Sequence, residues 1–263
     1  MLAAVVVGAG LCQAAPEATL YDVDFNGPPH VVGMTPAFAA GPFARNTPTS
    51  GGQILSPTGT AEVVAAFGLL ADRPARLTAL DGDPTDSTLG GVNLEFSLNE
   101  PELTGLNRFH AHVEVLAANV SASSGFGLFF DAPAIHKVEF SSDGNIRVID
   151  ATGVNMIVGT HDPEKVYTVG MTFDRLAAEW LASINGVPVY QGPIEDSNLV
   201  DFRIAMTSGD TTTTSVACVD NIRVTVEVPE PSTMALVALV MSVLQLARRA
   251  EKKAASAGSR RLP

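Results

Sequence analysis

Two histidines and a glutamate stand at alternate positions, His110, His112 and Glu114. Side chains on a strand repeat every two residues, so all three would share one face. His-x-His in that arrangement can grip zinc, with Glu114 as a third ligand or a base. The solvent face of an amphipathic strand has the same spacing, and Arg108 fits that face too. A second group is the loop Asp81-Gly82-Asp83-Pro84-Thr85-Asp86. Asp81, Asp83 and Asp86 can supply oxygens to calcium, a hard cation. Asp-Gly and Asp-Pro also favour turns with no ion present. The third is Asp220-Asn221, inside an apolar run. If Val216, Cys218, Ile222, Val224 and Val226 face inward, so does Asp220, and a buried carboxylate needs a partner. A bulge would turn it to an edge. A ligand role for Asp220 and Asn221 is the other reading. Trp180, Tyr190 and Tyr167 are the aromatic candidates for stacking on a sugar. Trp180 shares parity with Ala182 and Ile184, which favours the core.

No catalytic residue stands out. Retaining glycan hydrolysis needs two carboxyls about 5 Å apart, and alternate acids on one strand would provide them. Val113-Glu114-Val115 and Leu94-Glu95-Phe96 carry one acid each. No Gly-x-Ser-x-Gly elbow and no phosphate loop is present. The expectation is therefore a non-enzymatic protein. The alternative is a glycan hydrolase whose carboxylate pair the sequence does not reveal.

The elements that would hold these residues are short strands. Thr19 to Phe25 alternates, with Tyr21, Val23 and Phe25 on the apolar side. His30 to Pro57 reads as a long loop. Thr60 to Ala71 is the plausible helix, weakened by Gly68 and by Val63-Val64. Val92 to Leu98 and Arg108 to Leu116 alternate clearly. Gly125 to Phe130 is apolar on both sides and suits a central strand. His136 to Phe140 and Asn145 to Asp150 flank a hairpin loop at 141–144. Lys165 to Phe173 alternates up to a turn at Asp174-Arg175. Ala178 to Ile184 and Val187 to Tyr190 flank Asn185-Gly186, the pair a type I′ turn favours. Asp201 to Met206 and Ser215 to Val226 complete the set. Frequent turns with almost no helix predict an antiparallel β-sandwich.

The chain has 263 residues, with 16 basic and 28 acidic side chains, a net −12. Residues after Ala247 hold 6 basic and 1 acidic, and the first 15 hold none. What lies between has 10 basic against 27 acidic, a net −17. Such a domain will not seek nucleic acid or anionic lipid. Residues 1–15 are apolar and end in small residues, which predicts a signal peptide. Beyond it only Cys218 remains, so the domain at 16–227 relies on its core and not on a disulfide.

Residues 228–263 form three zones. Pro229-Glu230-Pro231-Ser232-Thr233 comes first, then the apolar run 234–247, then a tail at 248–263 with Arg248 and Arg249 at its start. The prolines break what precedes them, the run satisfies its own backbone in lipid as a transmembrane helix, and the cations stay on the cytoplasmic side. As a helix the run spans ~21 Å against the ~30 Å of a hydrocarbon core. That length suits a transient stop better than a permanent anchor.

This order resembles the PEP-CTERM sorting signal, with Pro229, Glu230, Pro231, Ser232, Arg248 and Arg249 as the matching residues. The resemblance implies export, an exosortase-type processing enzyme as partner, and a place at the cell surface or in the matrix. Polysaccharide binding is the passenger role that goes with it. Tyr167 to Tyr190 and Val219 to Val224 resemble laminin-G-like or concanavalin-like jelly-roll domains. That resemblance implies a jelly-roll sandwich in which the first strand neighbours the closing one. It also lends calcium at the Asp81 loop some support.

Overall fold

The computed structural model describes residues 16–26, 32, 60–70, 72–79, 90–98, 103–122, 124–131, 135–195, 198–208 and 212–228. The signal peptide, the 30–57 loop apart from one residue, and the sorting tail lie outside them, as does the Asp81, Asp83 and Asp86 loop. Among the described residues no helix is long and apolar enough to cross a membrane.

The described chain is all-β, in two antiparallel sheets. The strands are β1 (Glu17–Val23), β2 (Thr60–Val63), β3 (Ala75–Ala79), β4 (Gly90–Ser97), β5 (Arg108–Asn119), β6 (Ser124–Asp131) and β7 (Ile135–Ser141). They continue as β8 (Asn145–Ile149), β9 (Asn155–Thr160), β10 (Tyr167–Asp174), β11 (Glu179–Ile184), β12 (Val187–Pro193), β13 (Asp201–Ser208) and β14 (Ser215–Glu227). The larger sheet runs β12-β11-β10-β5-β14-β3-β2, with β1 also on β14. The smaller runs β4-β13-β6-β7-β8-β9. The expected pairing of first and closing strands is present, from Glu17 opposite Glu227 to Val23 opposite Ile222.

Alternation explains the packing. In β5, Phe109, Ala111, Val113 and Val115 are buried; in β4, Val92, Leu94 and Phe96 are. These inner faces meet ring on ring. Phe130 of the smaller sheet lies 5.7 Å from Phe173 of the larger, and Tyr21 lies edge-on to Phe96 at 5.1 Å. Each fully buried Phe contributes about 1.5–3 kcal/mol, so this layer holds the sheets together.

The Asn185-Gly186 turn has φ of +52° and +76°, as its type requires. Gly186→Ala is expected to cost about 1–2 kcal/mol, because a Cβ is disfavoured at that φ. A lower urea midpoint with an unchanged slope would show it.

The predicted helix at Thr60 to Ala71 is absent. Thr60–Val63 is instead the strand β2, paired with β3 from Thr60 opposite Thr78 to Val63 opposite Ala75, and a turn follows in which Phe67 and Leu70 bond each other's backbone. Gly68 sits at φ +59°, which no right-handed helix allows. Leu70 packs with Leu116, Cys218 and Phe67 in a small cluster apart from the main core.

Candidate functional site

Asp201 and Arg203 alternate with Phe202 and Ile204 on β13. The two apolar side chains are fully buried in the core, so the polar pair points out of the sandwich. β13 lies between β4 and β6, and register decides what it meets. Arg203 stands opposite Glu95 on one side and Phe129 on the other; Asp201 stands opposite Asp131. One guanidinium thus collects three carboxylates from three adjacent strands. Its Nη2 is 2.7 Å from Asp201, Nη1 3.0 Å from Asp131 and Nε 3.5 Å from Glu95.

The three acids differ in exposure. Glu95 and Asp131 keep about a quarter of their side-chain surface open, whereas Asp201 keeps 1%. Burial pushes the Asp201 carboxyl up to about 7 against the pull of Arg203, and the charges of Glu95 and Asp131 push the same way. Its Oδ1 is buried with no hydrogen-bond partner among the described residues, and so is Oδ1 of Asn93 on the same face of β4. Buried acceptors are costly to leave unpaired. Beside them β6 is bare at Gly125 and Gly127, and Lys137 of β7 lies over Gly127, ion-paired with Glu139. Half-buried Phe129 stands on this face between Arg203 and Lys137 in register.

The residues singled out from sequence lie elsewhere. His110, His112 and Glu114 do share the outer face of β5, but they do not converge on a metal. His110 is turned to Thr172 at 2.9 Å and Glu227 at 3.3 Å, while Glu114 accepts from Asn221 at 2.9 Å. Among the described residues no three such side chains are placed to hold a metal ion. That geometry fits the other reading of this spacing, the outer face of an amphipathic strand.

Asp220 does not face the core. The register of β14 shifts between Asp220 and Arg223, and Asn221 sits at φ +49°. This bulge lets Ala217 and Val219 face inward before it and Ile222, Val224 and Val226 after it. Val216 and Cys218 therefore do not share the parity expected of them. Asp220 is nonetheless 3% exposed, and burial lifts its carboxyl to about 7, helped by Glu114, Asp24 and Asp72.

Trp180 is fully buried, so it offers no ring to a sugar. The Tyr190 ring lies 4.9 Å from it, tilted by 46°, and its hydroxyl donates to Asp150 at 2.5 Å. Burial and that carboxylate push the Tyr190 hydroxyl up to about 12. Tyr190→Phe is expected to cost about 1–2 kcal/mol by removing a hydrogen bond to a charged group, read as a lower melting temperature. Tyr167 is half-buried, its oxygen accepting from the Asp162 backbone at 2.8 Å.

No family model and no curated protein matches the chain. Solved structures do. A family 7 alginate lyase shares 15% identity over 59% of this chain and 80% of its own, with a TM-score of 0.45. An endo-acting O-glycanase of the human gut microbiota shares 10% over 81% of this chain and all of its own, at 0.49. A sialidase shares 15% over 68% of this chain, at 0.43, and this chain spans only 17% of the sialidase. These neighbours are named for action on glycans, so the non-enzymatic expectation is not kept as the main reading, and its alternative, a glycan hydrolase, is taken up as a proposal.

Proposed function

We propose that this chain is a glycan hydrolase, with Glu95 and Asp131 as the carboxylates that meet the substrate. The observation that carries the reading is the Arg203 cluster. Near neutral pH it holds a proton on Asp201 beside two carboxylates paired to arginine. Glycoside cleavage needs an acid for the leaving oxygen and a carboxylate to attack or to activate water, so in this reading one of Glu95 and Asp131 takes up a proton from the cluster and gives it to the leaving oxygen while the other stays ionised. Asp201 is too deep to touch a sugar. It is a positioning residue that fixes Arg203 and stores the proton of the cluster. Phe129 supplies a partly open ring for stacking.

The finer fold class we read as a jelly roll, supported by β1 beside β14 and by the Asn185-Gly186 hairpin at the edge of the larger sheet. Delivery outside the cytosol is part of the reading, supported by Pro229-Glu230-Pro231 before an apolar run and Arg248-Arg249. An exosortase-type enzyme and the membrane are the partners that tail implies.

The test is reducing-sugar release from a glycan panel by the full-length chain. Release of saturated reducing ends supports hydrolysis. Unsaturated ends would make it a lyase, and no release from any glycan would end the reading. The mass of the exported form tests the tail.

A further inference from the structure

The outer strands of a sheet carry free backbone groups that invite another strand, and most proteins protect them with charge, proline, short length or a cover. Four outer strands of this fold are protected in those ways. β12 holds Pro188 and Pro193, and β1 holds Glu17 and Asp22. β2 is four residues long and holds Glu62. β4 holds Glu95 and is covered on both faces, where Val92 and Asn93 are buried.

β9, at the other edge of the smaller sheet, has no such protection. Its six residues, Asn155-Met156-Ile157-Val158-Gly159-Thr160, include no charge and no proline. Met156 and Ile157 are 40% and 53% exposed. They are consecutive, so they project to opposite faces, and the strand is open on both. One edge of β9 pairs with β8, from Asn145 opposite Thr160 to Ile149 opposite Asn155. The other edge meets no strand among the described residues. The nearest cation, Arg147, stands opposite Ile157 and is already taken, by Asp143 at 2.5 Å and Asn155 at 3.3 Å.

An open edge is completed by an extended strand, and charge selects which one. Before residue 248 the chain holds 27 acids against 10 bases, so two copies repel over most of their surface. At β9 they can meet with no acid facing an acid. We propose that β9 pairs with β9 of a second copy, antiparallel about a two-fold axis, and joins the two smaller sheets edge to edge. Cross-strand neighbours share a face. Pairing centred on Ile157 therefore sets Ile157 against Ile157 and Met156 against Val158, apolar on apolar. Such an interface uses one patch on both copies, so assembly closes at two. The inference is independent of the glycan-hydrolase reading.

The test is the mass of the full-length chain in mild detergent, by sedimentation, as its concentration is raised. The average mass should climb toward twice that of one chain and stop there. The dimer should strengthen in 1 M salt, where the Debye length falls to roughly 3 Å and the acidic surfaces no longer repel. Ile157→Lys puts like charges face to face at the centre of the pair and should abolish the rise. Val187→Lys makes the same change at a residue of β12 that is 62% exposed, and should leave the rise intact. Hydrogen exchange in the parent chain gives a second reading that needs no variant. Amides of β9 should exchange more slowly as concentration rises, and those of β12 should not change. A single-chain mass at every concentration would overturn the inference and leave the edge to a strand from another protein. A dimer that survives Ile157→Lys, or that weakens in salt, would overturn it as well. So would β9 amides that ignore concentration, since the contact would then lie elsewhere, as in the apolar run at 234–247.

Discussion

Glu95→Gln and Asp131→Asn should each lower reducing-sugar release roughly 100- to 10,000-fold while leaving the protein folded, the range that loss of a general acid or base commonly produces. Both side chains are partly open, and each keeps a neutral isostere beside Arg203 after substitution. Melting temperatures close to the parent would show that the loss is chemical. Asp201→Asn tests the proton store. Activity that needs the Asp201 proton falls as pH rises through about 7, because above that value the carboxyl is ionised. In Asp201→Asn that descending limb should move or vanish, even if some rate survives. A merely structural Asp201 would lower the rate at every pH and leave the limb where it was. Wild-type rates in Glu95→Gln and Asp131→Asn would remove these two from the chemistry.

Asp220→Asn should make the protein more stable above neutral pH, by roughly 2–4 kcal/mol. The carboxyl ionises near its ordinary 3.8 in the unfolded chain but only near 7 when buried beside Glu114, Asp24 and Asp72. Between those values the unfolded chain gives up a proton that the folded chain keeps. Stability therefore declines as pH rises from about 4 to about 7, and then levels. Asparagine cannot ionise, and its amide oxygen still accepts from the Asn221 backbone, the bond Asp220 makes at 2.8 Å. Urea unfolding of the variant should show a shallower pH dependence, with Asp201 responsible for what slope remains. The same slope as the parent, or a loss of stability at pH 8, would mean that Asp220 is not buried as an acid.

Much of the scaffold was legible because alternation is a local signal. β4, β5 and β10 declare their inner faces in Val92, Phe109 and Val169 and the residues two apart from each. The Asn185-Gly186 turn was legible for the same reason. β9 was not, because Asn155, Met156 and Ile157 are exposed along an edge and show no buried parity. The Thr60 stretch misled because its alanines fit a helical stripe, and only long-range pairing with β3 makes it a strand.

The candidate site was harder. Glu95, Asp131 and Asp201 are spread over more than 100 residues, and alternation says only that each faces outward. Which strands lie side by side is a tertiary fact. Asp201-Phe202-Arg203 was the available clue, an acid and a base on one face of a strand. Leu94-Glu95-Phe96 carries a single acid on its own strand. The second acid arrives from a neighbour.

The ends of the folded body share one partner. β14 gives its first half to β3 and its second half to β1, while β5 lines its other edge. The first strand therefore has no place to dock until the last has been synthesised. Pairings between such distant segments form slowly. A chain arranged in this way completes its larger sheet only once the final strand is available to receive the first.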